Sequence, residues 1–227
     1  QHFYRGMDLL LENAALVQKK VFDATASLLN LIVDVIFFDT TNIYFETEDM
    51  GGSALQAYGN SKEGRNDSPL VTIGLAVTWQ GIPIKCWVLP GNQHDATTVE
   101  RIQSELAGWG LNRVIWVMDR GMTSDENKKF LQRGGGDYIL GEKLRGPKAS
   151  EEALRRGGRY RQVADNLQVK EVYVGHGAAK RRYVVSYNPE EAARDQATRQ
   201  KTLDQLNAEM ERIEHLPPSK RDRKSVV

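Results

Sequence analysis

Two aspartates stand directly after apolar runs of the sequence, where their carboxylates could do metal-dependent chemistry. Asp39 follows the run at residues 31–38, and Asp119 follows the run at 113–118. If these runs are neighbouring strands, both carboxylates lie at one edge of a sheet. Carboxylates at such an edge can hold Mg²⁺ ions, which can activate a water or a hydroxyl in phosphodiester chemistry. By spacing alone, helix capping or loop hydrogen bonding by the aspartates stays an open alternative.

The elements that would position these aspartates predict an open α/β sheet. Apolar, β-branched runs predict strands at 31–38, 70–79, 82–89, 113–118 and 138–140. Helices are expected from 95 to about 106 and from 123 or 124 to about 132, each followed by glycines. With right-handed crossovers, this order of elements gives a mixed sheet with the strand order 3-2-1-4-5. The first and fourth strands are then adjacent, and ligands bind at their carboxyl ends.

The remaining segments predict three further parts of the chain. Residues 1–30 form an expected helical segment before the sheet at 31–141. Residues 142–188 are basic and strand-like, with alternating patterns at 167–174 and 181–187, and a long charged helix opens at Pro189 and runs to about His215. Residues 217–227 are interpreted as a basic linker or a cut end, and a start at Gln1 also favours a fragment.

Composition narrows the possible functions. The 227 residues include one cysteine, Cys86, which excludes a disulfide scaffold and a cysteine-cluster zinc site. No apolar run approaches the ~20 residues that span a bilayer, so we expect a cytoplasmic protein without a membrane partner. Residues 1–119 carry 8 basic and 14 acidic side chains, whereas residues 120–227 carry 23 and 16. A basic second half could bind a polyanion, although chance asymmetry between two solvated surfaces stays open.

Several basic side chains are candidates for contacts with a DNA backbone. They are Arg120, next to the second aspartate, and Arg155, Arg156, Arg159, Arg161, Lys180, Arg181 and Arg182. Each phosphate contact would add affinity that depends on salt and not on base sequence. A solvated sheet face is the alternative for the later groups, and a surface ion pair is the alternative for Arg120.

Three motifs in chain order resemble those of a known family. They are FFDTT at 37–41, LPGNQHD at 89–95 and VMDRGM at 117–122. Together they resemble the catalytic domain of DDE-type insertion-sequence transposases, in the cut-and-paste group that includes hairpin-forming enzymes. The resemblance covers about residues 31–141 and extends more loosely over the basic segment.

This resemblance implies a fold, a metal and a reaction. It implies an RNase H-like catalytic core at 31–141, with Asp39 as the first catalytic acid and Asp119 as the second, both holding Mg²⁺ or Mn²⁺. Residues 142–216 would be a β-rich insertion with a long helix, placed before the helix that carries a third acid. The implied activity is DNA cleavage and strand transfer at transposon ends, on the nucleoid. Double-stranded DNA of the ends and the target would be the partner, and the intact enzyme could be a homodimer.

One feature of the family is missing from the sequence. The third acid lies in the pattern Tyr-x2-Arg-x3-Glu-x6-Lys, and no tyrosine of this chain is followed by arginine three positions later. We therefore expect the chain to end before the third acid, to bind metal weakly and to cleave poorly or not at all. Two alternatives stay open: another metal-dependent nuclease on the same fold, and an inactive derivative that only binds DNA or assembles with a partner.

Overall fold

A computed structural model describes residues 2–46, 53–59, 64, 67–111, 113–133, 136–144 and 146–215. The chain forms two compact units, residues 1–143 and residues from 144 onward. The helices and strands of the first unit are α1 (His2–Glu12), α2 (Ala14–Leu29), β1 (Val35–Tyr44), β2 (Leu70–Thr78), β3 (Pro83–Pro90), α3 (Val99–Leu106), β4 (Ile115–Met118), α4 (Asp125–Arg133) and β5 (Asp137–Leu140).

The sheet of the first unit confirms the predicted RNase H-like arrangement. Its strand order is β3-β2-β1-β4-β5. β1 is antiparallel to β2 and parallel to β4, and β4 is parallel to β5. The parallel pairs require crossovers, which α3 and α4 supply. The antiparallel strands β1, β2 and β3 therefore adjoin the parallel strands β4 and β5 at the β1–β4 pair.

The two faces of this sheet differ in how they are covered. On one face, alternate strand residues such as Phe38 and Trp116 form the core with side chains from α2, α3 and α4. The buried apolar side chains of those three helices include Phe22 of α2, Ile102 of α3 and Leu131 of α4. Strand residues on the opposite face stay exposed: Phe37, Leu75, Val88 and Ile139. Since side chains alternate along each strand, every strand residue belongs to one face or the other.

Several boundaries differ from the sequence interpretation. β1 begins at Val35 instead of at residue 31 and continues to Tyr44, because residues 42–44 pair with residues 70–72 of β2. Asp39 therefore lies within β1, and its expected place at the end of the strand is wrong. The first helical segment consists of two helices that meet at Asn13. Residues 134–135, the expected glycine stop of α4, and residues 217–227, the expected linker, lie outside the described residues.

The second unit is a small sheet with two helices. Its elements are α5 (Lys148–Arg155), β6 (Arg161–Ala164), β7 (Leu167–Val174), β8 (Arg181–Tyr187) and α6 (Pro189–Glu214). The three strands are antiparallel in the order β6-β7-β8. β7, β8 and α6 confirm the predicted strands and long helix. The helix α5 corrects the interpretation of residues 142–188 as strand-like, because Ala149 and Ala153 pack against the sheet.

None of the described helices combines the length and the apolar character that crossing a membrane requires.

Candidate functional site

The register of the first sheet places Asp39 and Asp119 directly after the last aligned pair of two adjacent strands. The last aligned pair of the parallel strands β1 and β4 is Phe38 with Met118. Both of these side chains point into the core, with exposed fractions of 2% and 4%. The next residues, Asp39 and Asp119, therefore point to the opposite face, and Asp119 keeps an extended backbone with φ −73° and ψ 165°. Neighbouring strands lie about 4.8 Å apart, so the two aspartates lie side by side.

Both aspartates are exposed to solvent. The backbone N–H of Thr40 donates a hydrogen bond to Asp39 Oδ1 at 2.8 Å. The carboxylate of Asp119 caps no helix, and no described residue forms a hydrogen bond or an ion pair with it. Within the described ranges, no three His, Cys, Asp or Glu side chains are grouped so that they could hold a metal. The described site therefore consists of two solvent-exposed carboxylates.

One buried amide holds the turn that follows Asp119. The side-chain amide of Asn127, on α4, donates hydrogen bonds to the carbonyl oxygens of Met122 and Ala96, both at 2.7 Å. The backbone N–H of Asn127 donates to the hydroxyl of Ser124, which caps the start of α4. Asn127 is 7% exposed. It therefore fixes the turn after Asp119 against the turn that opens α3.

The end of β5 packs closely against the residues after Asp119. Gly141 donates its backbone N–H to the carbonyl of Met118 at 3.1 Å. A Cβ at position 141 would lie 2.9 Å from the backbone nitrogen of Arg120, which is too close for a methyl group. The hydroxyl of Thr123 donates to the carbonyl of Gly141 at 2.7 Å. These contacts restrict how far the backbone beside Asp119 can move.

The motif at 89–95 has a packing role that the sequence did not reveal. A Cβ at Gly91 would lie 2.0 Å from the carbonyl oxygen of Leu70 and 2.6 Å from that of Ala57. The N–H of Gly91 donates to the carbonyl of Leu55 at 3.0 Å. Glycine is therefore required where the end of β3 meets the start of β2 and the segment at 53–59. His94 is exposed, and Gln93 donates to Thr97 at 2.6 Å, which orders the turn before α3.

A cluster of charged side chains in the first unit lies between β3 and α3. Burial raises the pKa of Glu105, but hydrogen bonds from Arg101, Lys85 and Trp87 outweigh that effect and lower its pKa to about 2. Lys85 lies 2.6 Å from the Glu105 carboxylate and also stacks over the rings of Trp87 and Trp109. This cluster joins α3 to β3 on the covered face of the sheet, whereas the aspartates lie on the other face.

The predicted basic residues fall into separate groups. Arg120 is exposed in the first unit, directly after Asp119. In the second unit, Arg155 and Arg156 lie at the end of α5, each in an ion pair with a glutamate one turn earlier. Arg159 is exposed between α5 and β6.

The other four candidate basic residues are Arg161, Lys180, Arg181 and Arg182, and the side chains among them that lie on strands are divided between the two faces of the small sheet. Arg181 is aligned with Val174, on the face that α5 covers. Arg182 is aligned with Tyr173, on the opposite face. Arg161 forms an ion pair with Glu171 on that same face, and Lys180 lies over the ring of Tyr173.

Sequence reasoning did not find Asn127 or Gly141. The only signal for Asn127 was a polar residue at a position that helical periodicity would assign to the buried side of α4, four residues before Leu131. Gly141 was visible as a glycine directly after the fifth strand. Neither pattern could identify the carbonyl or amide partner, because those partners are distant in sequence.

Comparisons with known proteins give the following similarities. A family profile described as "Transposase DDE domain" matches residues 34–221. No curated protein matches the chain. Among solved structures, the chain is similar to "Mos1 transposase paired-end complex with left transposon end", with 14% sequence identity and a TM-score of 0.32. That similarity covers 54% of this chain and 39% of the other one. The profile match spans most of the chain and includes both aspartates.

Proposed function

We propose that this chain, which belongs to the transposase DDE domain family, supplies the catalytic acids of a transposase that cleaves and joins DNA at transposon ends. One observation carries the proposal: Asp39 and Asp119 follow the aligned pair of two parallel strands and point to the same exposed face. The proposed substrates are double-stranded DNA of the transposon ends and of the target. A homodimer that holds two ends, acting on the nucleoid, is part of the same proposal.

The donor set fits Mg²⁺ or Mn²⁺ in its chemistry. Both ions prefer carboxylate, water and phosphate oxygens, and two protein carboxylates leave positions for the other ligands. Asp39 and Asp119 are the residues that would hold the metal. Bound there, a divalent ion would activate the attacking water or 3′-hydroxyl and stabilise the leaving oxygen of a phosphodiester.

The remaining contacts of the site have a positioning role in this proposal. The N–H of Thr40 orients the carboxylate of Asp39. Asn127 and Gly141 restrict the backbone around Asp119, so that this carboxylate keeps its place beside β1. Arg120 is exposed next to Asp119, where its guanidinium could contact a DNA phosphate. We assign no residue of this chain as the third acid.

Metal binding by single variants tests the site directly. Mn²⁺ would be titrated into the chain and followed by the electron paramagnetic resonance of the free ion. We expect Asp39→Asn and Asp119→Asn each to weaken binding at least tenfold, because each removes one of two charged ligands. Asp137→Asn is the matched control. Asp137 is exposed at the first residue of β5, which is aligned with Ile115, at the end of β4 that is far from Asp119. Equal loss in all three variants, or no loss in the first two, would refute the site.

Reaction products separate the proposal from its alternatives. With Mg²⁺ and DNA that carries the transposon ends, the intact protein should give both cleaved and joined strands. Cleaved strands without joined ones would favour a nuclease on the same fold. DNA binding without metal-dependent cleavage, unchanged in Asp39→Asn and Asp119→Asn, would favour an inactive binding protein.

A further inference from the structure

The two faces of the β6–β7–β8 sheet have different environments. Val172 and Val174 of β7 are buried and pack with Ala153 of α5. Glu171 and Tyr173 alternate with these valines, so they point away from α5. Both are exposed, and 47% of Tyr173 is accessible to solvent. The face that carries Glu171 and Tyr173 is called the open face below.

Charged side chains from all three strands of the small sheet lie on the open face. Arg182 on β8 is aligned with Tyr173. Arg161 on β6 is aligned with Val169, which lies on the same side of β7 as Glu171. Lys180, just before β8, holds its ammonium group 4.7 Å from the centre of the Tyr173 ring. Arg161 and Arg182 lie on the two outer strands, and their aligned partners on β7 are two residues on either side of Glu171.

Glu171 lies between the two arginines of the open face. Its carboxylate is 2.8 Å from the guanidinium of Arg161 and 3.8 Å from that of Arg182. One carboxylate therefore forms ion pairs with two arginines, and Lys180 adds a third positive charge. The arginine side chains are 70% and 61% exposed, so an incoming anion can reach them.

The arginines of α5 are arranged differently. Arg155 and Arg156 each have a glutamate of their own one turn earlier, Glu151 and Glu152. Each of these ion pairs has its own glutamate, so Arg155 and Arg156 do not share a carboxylate. Arg155 and Arg156 are therefore each balanced by a separate glutamate. On the open face, Arg161 and Arg182 share the single carboxylate of Glu171.

We infer that the open face is the surface of the second unit that binds the phosphates of DNA, and that Glu171 is an internal competitor for those phosphates. This inference rests on the proposed function, which makes DNA the partner. In the free protein Glu171 holds Arg161 and Arg182. On binding, backbone phosphates replace the Glu171 carboxylate as the partner of the two arginines. Lys180, held over Tyr173, contacts a further phosphate.

If Glu171 competes with phosphate for the arginines, removing its charge should tighten DNA binding, and a binding assay can measure this change. A fluorescein-labelled DNA duplex of mixed sequence is titrated with the chain at about 50 mM and about 200 mM salt, and anisotropy is recorded. Glu171→Gln should tighten binding about fivefold at low salt, the effect of one unit charge at about 4 Å in water. Arg161→Gln combined with Arg182→Gln should weaken binding and lower the salt slope by about two.

A matched variant distinguishes an effect of the open face on DNA binding from an effect of the net charge of the chain. Glu152→Gln also removes one carboxylate and releases one arginine, but on α5. We expect it to leave the affinity within about twofold of the original chain. Equal tightening by Glu152→Gln and Glu171→Gln would overturn the assignment of the open face, as would unchanged or weaker binding by Glu171→Gln. Absence of DNA binding by the original chain would also overturn it. Thermal melting of each variant checks the fold, and Mn²⁺ binding by Asp39 and Asp119 is measured separately, so either proposal can fail alone.

Discussion

Asn127 is expected to be the most sensitive single side chain in the support of the Asp119 turn. Replacing it with alanine removes both donors that its amide offers to the carbonyls of Met122 and Ala96. Replacing it with aspartate keeps the shape but turns a carboxylate oxygen toward a carbonyl oxygen. Both changes leave polar groups in a site that is 7% exposed, so water can restore little of what is lost.

The size of the effect follows from the two lost bonds. Each buried carbonyl left without its donor costs about 1–3 kcal/mol, less where some water enters the space left by the side chain. We therefore expect Asn127→Ala to lower the free energy of unfolding of the first unit by about 2–4 kcal/mol. For a unit of this size the melting temperature should fall by about 5–15 °C. Asn127→Asp should cost more than Asn127→Ala, because it replaces attraction with repulsion.

Urea unfolding followed by tryptophan fluorescence measures this free energy, since Trp116 and Trp87 lie in the core of the first unit. Lys129→Ala is the control, because Lys129 is exposed on the same helix and should change stability by less than about 0.5 kcal/mol. Because Asn127 holds the turn after Asp119, Mn²⁺ affinity should fall in Asn127→Ala and stay unchanged in Lys129→Ala at temperatures where both variants are folded. A loss below about 1 kcal/mol, or Asn127→Asp being as stable as the original chain, would refute the role of the two hydrogen bonds.

Two further predictions concern packing and acid stability. Gly91→Ala should destabilise the first unit by about 3 kcal/mol, because its methyl group would lie 2.0 Å from the carbonyl oxygen of Leu70. Gly108→Ala, which meets no atom within 4 Å, should be tolerated, and similar losses in both by urea unfolding would contradict this explanation. The pKa of Glu105 is about 2, below its ordinary 4.5, so this carboxylate contributes stability above pH 4.5 that is lost as the pH falls toward 2. The stability deficit of Glu105→Gln should therefore shrink over that range, while the exposed Glu100→Gln shows no such trend in melting curves recorded at several pH values.

The strand order of the first sheet could be predicted because each strand carries its own local signal. The apolar runs fix five strands, and the handedness of the crossovers then leaves one arrangement around β1 and β4. The alternation at 167–174 and 181–187 was equally local, and β7 and β8 have those bounds. The neighbouring positions of β1 and β4 followed from the same order, and the expectation that Asp39 and Asp119 lie near each other rests on them.

Other features depend on partners that no local pattern identifies. The helix α5 is short and rich in charge, and its end is stabilised by Lys170, which donates to the carbonyls of Leu154 and Arg156. Lys170 lies on β7, so the signal for the end of this helix comes from a residue 16 positions after Leu154. β1 extends past Asp39 because β2 offers partners to its last residues. In both cases tertiary contacts override the local sequence.

The pairing of β1 with β4 also has a consequence for the order in which the protein folds. Phe38 and Met118, the aligned pair next to the aspartates, are 80 residues apart, whereas the hairpin of β2 and β3 closes over a short turn. Closing the longer loop costs more chain entropy, so local hairpins form first and non-local strand pairs form later. During synthesis, Asp39 and the strands β1, β2 and β3 leave the ribosome before β4 has been made. A growing chain therefore carries only Asp39 of the two aspartates, and the proposed metal site forms only when the sheet is nearly complete.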